Sequence, residues 1–208
     1  MGRTRMQAAL PVTAGARIAA WRGPLARQRA RFDRVRADVE CVELAGPVGT
    51  GGGWGDRAPE LRRRVAEALD LNDPGGSRQT GRDGLVTYGG WLATTCGALG
   101  KIGIDVALMA QQGIEAIVLS GGGTSSAMAH KHNPVGAEVL VALARYAAAQ
   151  ESALQQAMVH EQERSGAAWS LEWLVVPQLV MTTGAALATA ARLLDGITRI
   201  GEPAGEPR

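Results

Sequence analysis

Aromatic side chains are scarce in this sequence: Phe, Tyr and Trp make up 4% of its 208 residues, although 46% of the residues are hydrophobic. β-Branched residues are also few beside alanine and leucine. Strands favour aromatic and β-branched side chains, so the composition argues against a strand-rich protein. It predicts a single helical domain that is long enough to bury a core of its own.

Cysteine is rare as well. Cys41 and Cys96 lie in helical patterns and have neither a metal-ligand spacing nor a disulfide framework, so we expect both to be reduced thiols in the core. The formal net charge of +2 is too small to indicate a nucleic-acid partner. Residues 22–36 are strongly basic, but apolar residues recur among them at near-helical spacing, which favours a solvated helix face over a nucleic-acid patch.

Features of a membrane or exported protein are missing too. The N-terminus lacks the apolar segment of a signal peptide, and no apolar run approaches the roughly 18 residues that span a bilayer. We therefore expect a soluble, cytoplasmic protein without a membrane partner.

Apolar residues recur at steps of three and four, which is the pattern of amphipathic helices. The expected helices cover about residues 24–42, 59–71, 83–112, 135–164 and 171–194. The last three are long, and long helices with apolar stripes bury them only against other helices. We expect an all-α fold, an elongated bundle extended by pairing between chains. Residues 1–200 form this bundle domain, and the Pro/Gly-rich residues 201–208 form a disordered tail.

The segment 120–134, SGGGTSSAMAHKHNP, is the most informative part of the chain. Its glycines permit positive φ and close backbone approach. Hydrogen-bond donors and a proton-transfer group follow within nine residues, on Ser125, Ser126, Lys131 and Asn133. The pattern favours a loop that closes over an anion. A solvated linker between helices is the alternative if the order of the residues is ignored.

That order resembles the signature loop of the fumarase/aspartase superfamily, usually written GSSxMPxKxNP. Thr124 is inserted before the serines, and Ala129 stands where the family has proline. The resemblance implies that Ser125 is the base that removes a proton α to a carboxylate. An isolated hydroxyl is too weak a base, so Lys131 and oriented backbone N–H groups must activate it.

The resemblance also assigns roles to other residues of the loop. Lys131 and Asn133 are implied to hold the carboxylates of the substrate, and Ser126 and Met128 match the signature as further substrate-binding positions. His130 is a second candidate for the proton transfer, because histidine titrates near neutral pH. A loop histidine is more often merely solvated.

Residues 2–15, GRTRMQAALPVTAG, resemble a second signature of the superfamily, GRTHxQxAxPxTxG. Arg3, Thr4 and Gln7 match it and are implied to bind substrate. Arg5 stands where fumarase-like and adenylosuccinate-lyase-like members carry a proton-transferring histidine. An arginine cannot take that role because its guanidinium stays protonated in proteins. Arg5 therefore counts against those activities, and a carboxylate-binding role remains open for it.

A third element, residues 79–83 (QTGRD), resembles the QxxRD element that cycloisomerase and adenylosuccinate lyase members place beside their substrate. It implies substrate contacts from Gln79, Thr80 and Arg82, and Arg82 could clamp a carboxylate bidentately. Without the resemblance, a helix N-terminus with Asp83 near the macrodipole and a solvated Arg82 explain these residues as well.

The run from His160 to Pro177, HEQERSGAAWSLEWLVVP, looks like the 3-carboxy-cis,cis-muconate cycloisomerase branch of the superfamily. Position 164 is arginine, so His160 and Glu161 do not form the HExxH zinc motif, and no metal site is expected. The run is either a polar helix end capped by two packed tryptophans or a direct part of the substrate site.

The resemblance extends from Gly2 to about Ile200. It implies an enzyme of aromatic-compound catabolism, in the β-ketoadipate pathway, that adds a muconate carboxylate across a conjugated double bond to give 4-carboxymuconolactone, without a cofactor. Full members carry an N-terminal domain with a further signature, and most a C-terminal domain, neither of which this chain contains. They form homotetramers in which each site combines three subunits.

Three kinds of assembly or activity stay open from the sequence. The first is a homo-oligomer of this chain that binds a small di- or tricarboxylate, alone or with a subunit that supplies the missing signature. The second is a superfamily lyase that releases fumarate. The third is a non-catalytic or split-subunit helical assembly protein.

Overall fold

A computed structural model describes residues 1–124, 128 and 131–201 of the chain. Helices account for most of these residues and confirm the expected all-α class. They are α1 (Ala14–Val39), α2 (Ala58–Leu69), α3 (Asp83–Met109), α4 (Val135–Gln156) and α5 (Gly166–Asp195). Of the tail expected at residues 201–208, only Gly201 is among the described residues.

Short strands in the described residues pair as antiparallel two-stranded ladders. The pairs are β1 (Arg3–Thr4) with β2 (Gln7–Ala8), β3 (Ile117–Leu119) with β6 (Ile197–Ile200), and β4 (Gly123–Thr124) with β5 (His132–Asn133). The β3–β6 ladder ties the chain after α3 to the chain after α5. The β4–β5 ladder brackets the loop that contains the signature residues.

The first helix begins about ten residues before the expected start at residue 24. Thr13 caps it: the Ala16 N–H donates to Thr13 Oγ1 at 3.1 Å. Pro24 lies inside α1 and not at its start. The expectation was wrong because proline was taken as the start signal, whereas an upstream threonine already satisfies an N–H group at the helix end.

The boundary between α4 and α5 also differs from the expected one. Helix α4 ends at Gln156 instead of about residue 164, and α5 begins at Gly166 instead of about residue 171. Ser165 caps α5, since its Oγ accepts the Ala168 N–H at 3.2 Å. The same hydroxyl hydrogen-bonds the Glu161 carboxylate and holds the pKa of that group below its ordinary value. Periodicity alone did not reveal this interruption.

The chain forms two compact units. The first contains Met1–Arg27, Thr95–Tyr146 and Thr182–Arg208. Its core includes Leu99, Ile102 and Val106 of α3 together with Leu140 of α4, all at most 2% exposed. A hydrogen bond also joins α1 to α3 in this unit, because the Nε1–H of Trp21 donates to Asp105 Oδ2 at 2.7 Å.

The second unit contains Gln28–Thr94 and Ala147–Met181. Its buried apolar side chains come from several helices: Val35, Ala66, Val86, Leu92, Leu154, Val175 and Leu179. Aromatic residues pack at its surface, where the rings of Phe32 and Trp91 have centroids 5.1 Å apart. The Trp91 Nε1–H donates to the Gln28 carbonyl at 2.9 Å. The basic residues 22–36 lie within α1, which contributes to both units.

Two helices are long and apolar enough to cross a membrane by length and composition alone, α3 and α5. In the apolar 18-residue segment of α3, half of the residues are buried in the structure. In the corresponding segment of α5, 33% are buried. The sequence-based expectation concerned uninterrupted apolar runs, whereas these two helices reach the required mean hydropathy with glycine and threonine among their apolar residues. Core helices of soluble proteins pass the same test, so this finding is weak support for a membrane span.

The two cysteines occupy different environments. Cys96 is fully buried and its Sγ hydrogen-bonds Thr183 Oγ1 at 3.3 Å, which confirms the expected core position. Cys41 is half-buried and its thiol donates to the Ala37 carbonyl at 3.3 Å. The expectation of a core position was therefore wrong for Cys41, which follows the end of α1 at the edge of the unit.

Candidate active site

The signature loop is held at its base by the β4–β5 ladder, in which Gly123 pairs with Asn133 and Thr124 with His132. Gly123 is required there, because a Cβ atom would lie 2.7 Å from Val135 Cγ2. Inside the loop, the Lys131 N–H donates to the Met128 carbonyl at 3.0 Å. The side chains of Lys131 and Met128 are exposed. Ser125, Ser126 and His130 lie outside the described residues.

An open cavity of about 400 Å³ borders the base of this loop in the first unit. Its walls come from residues 119–123, the start of α4 and the last turns of α5, where Arg192 is the cationic residue. Arg192 Nη2 donates to Thr189 Oγ1 at 3.2 Å. The loop therefore has open space beside it that its own glycines line.

The second signature forms the β1–β2 hairpin, whose register leaves Arg5 and Met6 as a two-residue turn. Both residues have positive φ, 49° and 67°, as the central residues of a type I′ turn do. Neither is glycine, asparagine or aspartate, so the turn carries strain of about 1–3 kcal/mol per residue. The hairpin exposes all four predicted side chains: Arg3, Thr4, Arg5 and Gln7.

The third predicted element lies in the second unit, just before α3. The Gln79 amide Nε2 donates to the carbonyl oxygens of Pro47 at 3.1 Å and of Glu163 at 2.5 Å. Its amide N–H groups therefore bind backbone. Thr80 is half-buried.

Arg82 makes a bidentate ion pair with Glu172 of α5. Its Nε and Nη2 each donate to one carboxylate oxygen at 2.6 Å. Nη1 donates to the Arg78 carbonyl at 3.3 Å. The Glu172 side chain is 6% exposed and that of Arg82 is 23% exposed. One interpretation of the sequence was that Arg82 is solvated. In the structure its guanidinium instead makes two parallel hydrogen bonds to a protein carboxylate.

His160 completes this cluster. Its Nε2 lies 3.4 Å from Glu172 Oε1, and its side chain is 1% exposed. On the other side of the ring, Nδ1 accepts the Ser165 N–H at 3.4 Å. Because His160 and Glu172 are both buried, neither is placed to contact a substrate directly.

The two tryptophans of the same run remain accessible. Trp169 is 42% exposed and Trp173 is 70% exposed, with their rings edge to face at 6.2 Å between centroids. Arg164 lies over the Trp169 ring, 4.8 Å from its centroid. The interpretation of this run as a helix end capped by packed tryptophans is wrong, since the side chains that pack into the interior are His160 and Glu172.

The predicted site residues that the structure describes thus lie on three elements: a hairpin, the neck of a loop, and the segment before α3. The structure joins Gly123 to Asn133 and Arg82 to a residue that was not among the predicted site residues, Glu172. The sequence did contain a signal for Glu172. It shares the buried side of α5 with apolar residues, and a carboxylate in such a position needs a cationic partner. Within the described residues, no group of three or more His, Cys, Asp or Glu residues is arranged to hold a metal ion.

Comparison with known proteins identifies the family. A family model described as Lyase matches residues 1–149, which is more than half of the chain. The chain belongs to this lyase family. It is a member of the fumarase/aspartase superfamily, as the signature loop and the helical fold indicate.

Several members of the lyase family resemble the chain over almost all of its length. The 3-carboxy-cis,cis-muconate cycloisomerase of Pseudomonas aeruginosa is 38% identical over 199 residues, which are 94% of this chain and 43% of that protein. The crystal structure of the 3-carboxy-cis,cis-muconate lactonizing enzyme from Pseudomonas putida has a TM-score of 0.88 at 34% identity, covering 95% of this chain and 44% of that one.

A fumarate lyase from Mesorhizobium sp. BNC1 is similar as well, with a TM-score of 0.87 at 30% identity over 96% of this chain and 44% of that one. The chain therefore spans under half the length of the relatives that it matches. The individual roles of the site residues stay predictions.

Proposed function

We propose that this lyase-family chain is part of an enzyme that lactonises 3-carboxy-cis,cis-muconate in aromatic-compound catabolism. The observation that carries the proposal is the 38% identity over 199 residues to the cycloisomerase of Pseudomonas aeruginosa. The run from His160 to Pro177, which resembles the same branch, supports it independently of the signature loop.

The reaction is an isomerisation that needs neither an oxidant nor a leaving group. A carboxylate oxygen of the substrate forms a bond to one carbon of the conjugated double bond. The electron pair of that double bond moves into the neighbouring carboxylate and gives an aci-carboxylate, and a proton then adds to the carbon next to it. Cationic donors that stabilise this developing charge lower the barrier without a cofactor.

The chain supplies suitable cations and donors in its signature elements. Lys131 is exposed beside the neck of the loop, and Arg5 is exposed at the hairpin tip, so both can reach a carboxylate. Asn133 adds an amide at the neck. Ser125 or His130 of the loop transfers the proton.

Assembly is part of the proposal. An exposed apolar stripe follows α5 at steps of seven residues: Trp173, Val180, Leu187 and Leu194. Such a surface on a helix is covered by another apolar surface in a stable protein. We place it at an interface of a homo-oligomer, a tetramer by analogy with the superfamily, in the cytoplasm.

The test is a lactonisation assay on the purified chain, alone and mixed with a full-length cycloisomerase that lacks its own active loop. Ser125→Ala and Lys131→Ala should each lower kcat by about a hundredfold or more, because each removes a group that acts mainly in the transition state. Ser170→Ala and Lys101→Ala are the matched controls and should keep kcat within about twofold. Folded, assembled protein without activity in any combination would assign the chain to the non-catalytic alternative.

The similarity to a fumarate lyase favours a second candidate, elimination of fumarate from a succinyl adduct. Arg5 argues against it, since arginine cannot transfer the proton that histidine does at this position. Under the leading proposal, Arg5→His leaves lactonisation no faster than in the wild type. A gain of tenfold or more in fumarate release from argininosuccinate, adenylosuccinate or a succinyl thioether, measured at 240 nm, would support the lyase instead.

A further inference from the structure

Glu172 receives three donors in the interior of the second unit. Two are from the Arg82 guanidinium at 2.6 Å, and the third is His160 Nε2 at 3.4 Å. With 6% of its side chain exposed, Glu172 has little contact with water that could replace them. A buried carboxylate is stable only when such partners compensate for its lost hydration.

The hydrogen bonds of the ring assign the tautomer of His160. Nδ1 accepts the Ser165 N–H and therefore carries no proton. In the neutral ring the proton is then on Nε2, which faces Glu172 Oε1. His160 is thus a neutral donor to Glu172, and the charge of Glu172 balances that of Arg82. Ser165 is held in place as the cap of α5, and its N–H donates to Nδ1 of His160. The start of α5 therefore sets the orientation of the His160 ring.

Arg82 keeps N–H donors that the described residues do not use. A guanidinium has five N–H groups, and three of those on Arg82 donate to Glu172 and to the Arg78 carbonyl. Two therefore remain without a partner among the described residues. The side chain is 23% exposed and borders an open cavity of about 120 Å³ in the second unit. Asp38, Glu43 and Arg78 also border this cavity. The Glu43 carboxylate already accepts from Ser77 Oγ and from the Arg78 N–H, and the Asp38 carbonyl oxygen accepts from Arg78 Nη1 at 2.6 Å.

We propose that His160 and Glu172 are positioning residues that lock the Arg82 guanidinium in one orientation, so that its two remaining N–H groups bind a carboxylate of the substrate. The chain of contacts runs from the cap of α5 through the His160 ring and the Glu172 carboxylate to Arg82. The inference rests on the proposed function only for the identity of the substrate. The locking itself is a property of this cluster.

The first experiment measures the locking without turnover. In ¹⁵N spectra of the full chain, Arg82→Lys identifies the Arg82 Nε–Hε signal by its loss. His160→Leu removes the donor at similar volume, whereas His160→Gln places an amide N–H near the position of Nε2. We expect Hε exchange with water to accelerate at least tenfold in His160→Leu and less than threefold in His160→Gln. Glu67→Gln, at the exposed Glu67–Arg63 pair on α2, is the control and should change nothing at Arg82.

The second experiment measures carboxylate binding, with tricarballylate as the probe in calorimetric titrations. Kd should rise about tenfold or more in Arg82→Lys and in His160→Leu, and stay within threefold of wild type in His160→Gln and Glu67→Gln. Where lactonisation is measurable, KM should follow the same order while kcat changes less than threefold. Circular dichroism and light scattering check that each variant keeps its helicity and mass.

The outcomes separate the possible explanations. Equal Hε exchange in His160→Leu and His160→Gln would mean that His160 only fills space, and the positioning role would be overturned. The Hε exchange rates could be as expected while the wild type does not bind tricarballylate, or while Arg82→Lys binds it as tightly as the wild type. Either result would overturn the proposed role of Arg82 in carboxylate binding. Absence of lactonisation together with both expected results would reject the proposed function alone.

Discussion

Glu172 is a buried carboxylate on an otherwise apolar side of α5. The positions next to it on the same side of α5 are apolar and buried, among them Val175 and Leu179. A carboxylate in this row would be unstable without compensation, and Arg82 and His160 provide it from two other segments. The partners lie 90 and 12 residues away along the chain. No local pattern pairs them, although the polar residue in an apolar row does predict that some partner exists.

The two cysteines allow a prediction at the scale of single residues. Burial raises the pKa of the Cys96 thiol above its ordinary value, against a smaller opposite effect of the hydrogen bond with Thr183. Native Cys96 should react with a thiol reagent such as DTNB at pH 8 at least about a hundredfold more slowly than Cys41, because its reaction requires local unfolding.

Cys41→Ser serves as the control, since it should abolish the fast phase and leave the slow one. The sign of the pH dependence follows from the raised pKa. The stability contributed by neutral Cys96 is complete below the pKa of the unfolded thiol and is lost as pH rises through the folded value. Two thiols that react equally fast in the folded chain would contradict the burial of Cys96.

At the scale of the element, α3 shows how a glycine is required by packing at one position and tolerated at another. A Cβ atom on Gly103 would lie 2.5 Å from the Ala137 carbonyl oxygen and 2.8 Å from Leu140 Cβ, so α3 and α4 approach each other closely there. Gly97, two turns earlier on the same helix, has nothing within 4 Å of such an atom. The close approach is an interaction between helices that α3 alone does not encode.

These positions predict opposite effects of the same substitution. Gly103→Ala should lower the free energy of unfolding by about 1–3 kcal/mol, because the added methyl group clashes with backbone. Gly97→Ala should raise it by up to about 1 kcal/mol, because alanine has the higher helix propensity. Urea denaturation followed by circular dichroism measures both. A stabilising Gly103→Ala variant would show that the two helices do not approach as closely as described.

For the whole molecule, the exposed apolar stripe on α5 is the feature that points beyond a single chain. Trp173 is 70% exposed and Leu187 is 49% exposed. Together with Val180 and Leu194 they recur every seven residues, the repeat that keeps one side of a helix against a partner. Among the described helices, α5 carries more exposed large apolar side chains than any other.

We predict that this stripe holds an oligomer together. Light scattering should give a mass that is a multiple of 21.7 kDa. Leu187→Glu should shift the mass towards that of one chain, because it places a charge in an apolar contact. Leu69→Glu introduces the same charge at another exposed leucine, on α2, and should leave the mass unchanged. A stable monomer of high helicity in the wild type would refute the assembly argument.

The sequence alone determined the class of the fold, the family and the position of the signature loop. These depend on local patterns, such as the recurrence of apolar residues at steps of three and four, and on motifs whose order can be recognised without contacts. The start of α1 and the break between α4 and α5 were missed, because they depend on the Thr13 and Ser165 caps competing with proline and periodicity signals.

Only the tertiary structure decided the environment of Arg82 and the positive φ of Arg5 and Met6. Arg82 was predicted to clamp a carboxylate, and the first carboxylate that it binds is Glu172 of the same chain, brought beside it by the packing of α5 and α3. Arg5 and Met6 take left-handed backbone conformations because the β1–β2 pairing closes on them. The Arg82–Glu172 pair joins residues 90 positions apart in the sequence, whereas the turn at Arg5 and Met6 depends on the local pairing of Thr4 with Gln7. Neither interaction contributes free energy before the chain folds, so residue patterns alone do not reveal them.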